Sequence, residues 1–407
     1  MYIYRHMEET VKRIAKMFGA VMVTGPRQVG KTTLLKQVAK NVAYITLDDP
    51  IMLQSAIDEP GTFFKNTPPP VFVDEIQYAP NLFTYIKMIV DSEKQKGQFY
   101  MSGSQQFKMM KNVSESLAGR LGIMNLLGLS MREIDGVVFR KSFIPTDEYF
   151  EERRKFDIGF NYKRVWEIIH RGSMPELYAN EDFDWNAFYG AYVRTYIERD
   201  VRALTQVGDE VKFIKFMTVT ASCTGQLLNL ASISRDVGIS QPTAERWLSI
   251  LVASNLVYLL QPYYNNVIKR AIKTPKLYFL DTGLAAYLTR WNTVDVLMNG
   301  AMAGAFFETF VIAEVIKSYY NAGVLDLPLY FYRDKEQNEI DLIVWQNGML
   351  HPIEIKKHSD PSKSDVTSFS QLDKLTDLKR GMGCIICTYD RFTALQSDVM
   401  VTPISFI

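Results

Sequence analysis

The chain has 407 residues, of which 47% are hydrophobic and 22% charged, and its formal net charge is +1. That is too long for one ordinary core, so about two to four domains are expected, and the balanced charge gives no whole-molecule electrostatic case for nucleic acid or acidic lipid. Three cysteines do not make a disulfide framework, no apolar run approaches a membrane span, and residues 1–6 carry no signal-peptide pattern; a cytoplasmic protein is expected.

The first element along the chain is the apolar run Ala20-Val21-Met22-Val23, which reads as a buried strand. Gly25-Pro26-Arg27-Gln28-Val29-Gly30-Lys31-Thr32 follows and matches the phosphate-cradling pattern G-x-x-x-x-G-K-S/T. A helix starts at Thr33. Strand, glycine-rich turn and helix N-terminus together form an anion site from backbone N–H groups and the helix dipole. Residues 25–33 are therefore the expected nucleotide-binding set, with Lys31 aimed at the β- and γ-phosphates and the Thr32 hydroxyl at Mg²⁺.

Hydrolysis needs an acid for the metal and a group that orients water. Val71-Phe72-Val73-Asp74-Glu75 supplies both at the carboxyl end of a second buried strand, where α/β sheets bind ligands. Asp74 is expected to hold Mg²⁺, through water, and Glu75 to polarise the attacking water. A third strand, Gln98-Phe99-Tyr100-Met101, ends in Ser102-Gly103-Ser104-Gln105. Ser102, Ser104 and Gln105 are alternatives for a γ-phosphate sensor, and Ser104 joins Lys31, Glu75 and Arg120 in the expected catalytic set. Arg120 is a candidate for stabilising transition-state charge, in cis or across a subunit boundary of an oligomer. Arg27, inside the loop, is another. No Asn-Lys-x-Asp element is present to read guanine, so the expected nucleotide is ATP.

GPRQVGKTTLL, LDDP at 47–50, VFVDEIQ at 71–77, MSGSQQF at 101–107 and SLAGRL at 116–121 resemble the AAA-like P-loop ATPases of bacteria and archaea. In that family the ATPase module precedes a domain of unknown function. HRGSMPELY at 170–178 and TYIERDVRAL at 195–204 also look like that family. The resemblance covers nearly the whole chain and implies ATP binding and hydrolysis.

Residues 144–157 are charged and aromatic without a clear period and read as a boundary. Tyr192, Val193, Tyr196, Ile197, Val201 and Leu204 recur at helical spacing and predict a long amphipathic helix. Its charged residues, Arg194, Glu198, Arg199, Asp200 and Arg202, read as a solvated or domain-contact face. From Leu228 the pattern is helix, tight turn at Gly238, helix. Ser240 caps the second helix and Pro242 sits in its first turn. A strand over 256–260 then predicts a winged helix. The outward residues Gln241, Thr243, Glu245, Arg246 and Ser249 include one base and one acid, so protein docking stands beside DNA contact as the use of this helix.

Glu308 lies in an apolar helix, Asp341 at a strand entry, and Glu354 and Lys356 alternate with Ile353 and Ile355 on a second strand. Asn347-Gly348 signals a hairpin between the two strands. Three carboxylates can then hold Mg²⁺, with Lys356 close enough to activate water. This arrangement resembles PD-(D/E)XK nucleases, in the archaeal Holliday-junction resolvase branch. One departure is that Asp341 follows Ile340 where that branch has Pro-Asp. Cys384 and Cys387 form a C-x-x-C without a second pair, which reads as strand packing.

The expected fold is multidomain α/β: a P-loop ATPase domain over 1–143, a helical connector over 144–207, a winged-helix-like domain over 208–290 and a PD-(D/E)XK nuclease-like domain over 291–407. The expected function is an ATP- and Mg²⁺-dependent ATPase acting on or with DNA. The alternative is a regulatory or scaffold ATPase whose C-terminal domain binds protein or nucleic acid without cutting.

Overall fold

The computed structural model describes residues 2–103, 117–156, 159–180, 182–196, 210–264, 274–375 and 379–407. Five short runs, Ala20–Thr24 (β1), Ala43–Thr46 (β2), Val71–Asp74 (β3), Phe99–Gly103 (β4) and Leu121–Asn125 (β5), build the first sheet. Every pairing in it is parallel, in the order β2-β3-β4-β1-β5. β1 and β3 are buried along their whole length, which is why both read as unbroken apolar runs. Strand alternation sends Val21 and Val23 to a core shared with Met7, Val11, Leu34 and Leu35. Ala20 and Met22 face the opposite core, with Leu82, Phe83 and Ile86. The result is a P-loop NTPase sheet flanked by helices.

The stretch read as a patternless boundary contains a helix, Asp147–Arg154, capped by the Thr146 side chain. Its buried residues are Tyr149, Phe150 and Arg153, an aromatic pair plus a cation, so it leaves no apolar period to detect. It packs on the far end of the chain: the Phe150 ring lies tilted at 52° against Phe392, centroids 4.7 Å apart, and Arg153 donates to the Ser405 carbonyl. Helices Tyr162–Arg171, Trp185–Tyr196 and Glu210–Ser222 follow. Arg194 is exposed, while Ile197, Val201, Leu204 and the charged residues from Glu198 to Arg202 lie outside the described residues.

Helices Leu230–Val237 and Gln241–Ala253 meet at Gly238, whose φ of 80° ends the first helix in a left-handed turn. Asn229 caps the first and Ser240 the second. Ala244, Trp247, Leu248 and Leu251 are buried, and Gln241, Glu245, Arg246 and Ser249 are exposed. Three antiparallel strands adjoin the helix pair: Gln226–Leu227 (β6), Val257–Pro262 (β7) and Lys276–Phe279 (β8).

These strands are continuous with the C-terminal sheet, because β7 pairs in parallel with Leu329–Arg333 (β9). Glu339–Gln346 (β10) and Met349–Lys356 (β11) form an antiparallel hairpin. Its turn residues Asn347 and Gly348 both have positive φ, 52° and 75°, as a tight hairpin turn requires. Lys379–Arg380 (β12), Gly383–Cys387 (β13), Thr393–Gln396 (β14) and Val399–Pro403 (β15) complete a sheet of ten strands among the described residues. Cys384 and Cys387 are free thiols on the fully buried β13, where burial pushes both up in pKa. The helix Ala303–Asn321 is buried on nearly every side, so it lacks a polar face. One continuous apolar core runs from Met7 through Trp166 and Trp247 to Ile407, joining the first sheet to the second. No helix of the described residues is long and apolar enough to cross a membrane.

Candidate functional site

The phosphate loop leaves β1 at Thr24. Gly25 has φ of 144°, and a Cβ there would stand 2.0 Å from the Leu126 carbonyl oxygen, so only glycine fits. Gly30, at φ 86°, turns the chain into the helix Lys31–Val38. The N-terminus of that helix faces the loop, as an anion cradle requires. Lys31 is buried and arches over its own loop, donating to the Gly25 carbonyl at 3.1 Å and the Pro26 carbonyl at 2.7 Å.

Asp74 is 5% exposed and gathers three hydroxyls. Thr32 Oγ1 lies 3.1 and 2.9 Å from its two carboxylate oxygens, Tyr44 donates from 3.1 Å, and Ser102 Oγ donates to Oδ1. The strand order explains Ser102. β4 lies between β1 and β3, so its tip separates the phosphate loop from Asp74. Ser102 thus occupies the place foreseen for a strand-tip residue, whereas Ser104 and Gln105 lie outside the described residues. Tyr44 was not anticipated from sequence. Burial and then Asp74 push its phenol up to about 12, so it remains a donor. Glu75 follows in a left-handed conformation, φ 56°, and accepts from the Gln77 amide. Burial raises its carboxyl above the ordinary value.

Arg120 is not brought to this site. It precedes β5 at the amino end of the parallel sheet, beside Ala20, and the phosphate loop leaves the opposite end. There it pairs with Asp91 on the surface.

Arg5 was also missed. Its guanidinium donates to the Val29 carbonyl at 2.7 Å, the Leu127 carbonyl at 2.8 Å and the Gly128 carbonyl at 3.2 Å, and pairs with Glu133 at 3.1 Å. Burial would raise the Glu133 carboxyl, but Arg5, His6 and two backbone N–H donors outweigh it and hold the acid below its ordinary value. A cavity of about 130 Å³ opens beside the loop, lined by Tyr2, Ile3, Gly30, Thr33 and Pro175 among others. Pro175 belongs to the 170–178 segment, so the connector forms one wall.

The second cluster lies in the C-terminal sheet. The register Leu342↔Ile353 sets Asp341 against Glu354 on adjacent strands. Asp341 also accepts from the Ile355 N–H at 2.9 Å. Lys356 shares a face with Glu354 and donates to it at 2.5 Å, as the alternation requires. Glu308 reaches the same centre from the helix Ala303–Asn321, accepting from Tyr278 at 2.6 Å. The four residues named from sequence are thus brought together. Lys276 joins them from β8. Its Nζ lies 2.5 Å from Glu339, 3.1 Å from Glu308 and 3.6 Å from Asp341. Burial disfavours that ammonium, but the carboxylates outweigh it and hold its pKa above the ordinary range. Burial and then Asp341 push Glu308 to about 7 and Glu354 to about 8. Glu354 Oε2 is buried without a hydrogen-bond partner among the described residues. Among the described residues, no three His, Cys, Asp or Glu side chains are arranged to hold one metal ion.

Residues 18–135 match the family model described as an AAA domain, and residues 162–295 and 303–407 match two models described as domains of unknown function. The uncharacterized protein Rv2008c of Mycobacterium tuberculosis is 29% identical over 386 residues, 94% of this chain and 79% of the relative. Mb2031c of Mycobacterium bovis has the same identity and coverage. A Walker-type ATPase of Pyrococcus abyssi aligns at TM-score 0.45 and 14% identity, over 69% of this chain and 94% of that one. AMPPCP-bound DnaA from Aquifex aeolicus aligns at TM-score 0.29 and 13% identity, over 60% and 85%. The amino-terminal module of this chain is an AAA-type P-loop ATPase domain, a nucleotide-binding unit built on the five-stranded parallel sheet.

Proposed function

We propose that the protein binds and hydrolyses ATP with Mg²⁺, and uses the nucleotide state to set the conformation of its C-terminal half. The observation that carries this reading is the meeting of the Thr32 and Ser102 hydroxyls on Asp74 beside the phosphate loop. Thr32 and Asp74 are the residues that would hold Mg²⁺, which supplies charge neutralisation between phosphates. The backbone of residues 25–33 cradles the phosphates, and Lys31 exchanges its loop carbonyls for phosphate oxygens. Glu75 takes the proton of the attacking water. In this reading the base enters the cavity lined by Tyr2, Thr33 and Pro175. Turnover of ATP by the wild type, lost in Lys31→Ala, tests this. Wild type that neither binds nor hydrolyses ATP would remove it.

A second reading adds DNA cleavage, favoured by the convergence of Glu308, Asp341, Glu354 and Lys356. In it the helix pair 230–253 is a winged helix that positions a duplex or a protein. Divalent metal held by those acids would supply the Lewis acid and Lys356 the proton management. ATP turnover measured with and without a panel of DNA structures, scoring cleavage in the same tubes, tests both readings. Cleavage abolished by Asp341→Ala with turnover intact supports the second. No cleavage by wild type with Mg²⁺ or Mn²⁺ and ATP leaves the regulatory ATPase. In either case the protein would act in the cytoplasm, and an oligomer enters only where Arg120 serves a neighbouring copy.

A further inference from the structure

The C-terminal acid centre contains a cation already, and that cation is part of the chain. Lys276 Nζ lies within 4 Å of Glu339, Glu308 and Asp341, and its side chain is 4% exposed. It comes from β8, the strand that pairs with β6 and β7, and not from the helix, β10 or β11, which carry the four motif residues. We propose that Lys276 is a tethered surrogate for a divalent cation, and that metal enters this centre only when the lysine is displaced. This rests on the reading of Glu308, Asp341 and Glu354 as metal-capable.

Three observations support it. Glu339, Glu308 and Asp341 all lie within 4 Å of the one ammonium, so it stands where their negative charge converges. The other described cations of the centre are already paired: Arg333 takes the second oxygen of Glu339 at 3.0 Å, and Lys356 takes Glu354 Oε1. The remaining oxygen, Glu354 Oε2, is left buried with no donor among the described residues, and the Glu354 residue is 6% exposed. Buried carboxylate oxygens are normally satisfied. An unmet acceptor beside a lysine-filled acid cluster marks a donor set that the lysine serves only in part. A divalent ion carries twice the charge and accepts several oxygens at once.

The lysine sits on β8 and the acids on the helix Ala303–Asn321, β10 and β11, so the exchange moves a side chain of a strand that carries none of the motif acids. Glu339 holds the lysine at the shortest distance, yet it is outside the motif set. It is the anchor that keeps the surrogate in place.

Calorimetric titration of nucleotide-free full-length protein with Mn²⁺ tests the proposal, using Lys276→Met, Glu339→Gln and each combined with Asp341→Asn. Lys276→Met vacates the cation position. Glu339→Gln keeps the lysine and the fold but loosens its anchor, so the test does not hang on one variant. Both single variants are expected to bind Mn²⁺ at least about tenfold more tightly than wild type, and the Asp341→Asn combinations to lose that binding. Mn²⁺ is also expected to raise the melting temperature of Lys276→Met while leaving wild type unmoved. If wild type already binds Mn²⁺ through Asp341 and neither variant binds it better, the surrogate role is overturned and the metal-capable reading stands. If folded wild type and both variants bind no Mn²⁺ that Asp341→Asn removes, the metal-capable reading fails and takes the surrogate role with it.

Discussion

Arg5 Nη1 donates to the Val29 carbonyl at 2.7 Å, so a residue 24 positions earlier in the chain holds the backbone of the phosphate loop. The same guanidinium binds the carbonyls after β5 and the fully buried Glu133. A planar fork can serve several acceptors at fixed angles, which a lysine cannot.

Arg5→Ala leaves Glu133 charged and unpaired, at a cost of about 3–5 kcal/mol for a buried pair broken on one side. Arg5→Lys keeps the charge and loses the fork. Both variants are expected to bind ATP more weakly than wild type, with Arg5→Ala also melting earlier. Fluorescent-nucleotide titration alongside thermal unfolding separates the two effects. Unchanged nucleotide affinity in both variants would show that the loop keeps its shape without the clamp.

Lys31→Ala is expected to weaken ATP binding roughly ten- to hundredfold, the worth of a charged hydrogen-bonding group. Glu75→Gln is expected to bind ATP normally and to turn it over about 10²–10⁴-fold more slowly. Single-turnover kinetics at saturating ATP measure this directly. Wild-type turnover in Glu75→Gln would take that residue out of the chemistry.

Arg120→Ala is expected to leave ATP turnover unchanged at low protein concentration, because its own phosphate loop opens at the other end of the sheet. A loss that grows with protein concentration would reveal action on a neighbouring copy.

Burial and then the neighbouring Asp341 push the Glu354 carboxyl up to about 8 and Glu308 up to about 7 in the folded protein, against an ordinary 4.5. The folded state therefore holds more protons than the unfolded chain between about pH 4.5 and 8, and stability falls as pH rises through that window. Glu354→Gln removes one of these groups. Its melting temperature is expected to fall less steeply from pH 5 to 8, and to exceed wild type at the upper end. Parallel pH profiles for both proteins would contradict the assignment.

What sequence made legible was chemistry carried by neighbouring residues. The run from Gly25 to Thr32, the acids ending β3, and the Asn347-Gly348 turn each state their geometry within a few positions. The alternation of Glu354 with Lys356 likewise predicts their contact. The residues that escaped are those whose meaning depends on a distant partner. Arg5 and Glu133 are 128 positions apart, and Lys276 reaches Glu308 across 32. Tyr44 sits on an edge strand with no motif to mark it. The Asp147–Arg154 helix hid because its inward residues include an arginine, which a search for apolar periodicity scores as outward.

The parallel pairing of β7 with β9 has a practical corollary for anyone dissecting this molecule. An excised C-terminal fragment beginning near residue 300 would lose the neighbour that covers β9 and bare a row of unsatisfied amides along its rim. Such a piece invites self-association through that rim. A fragment cut ahead of β6 would keep the rim sealed, and with it the lysine that quiets the acids.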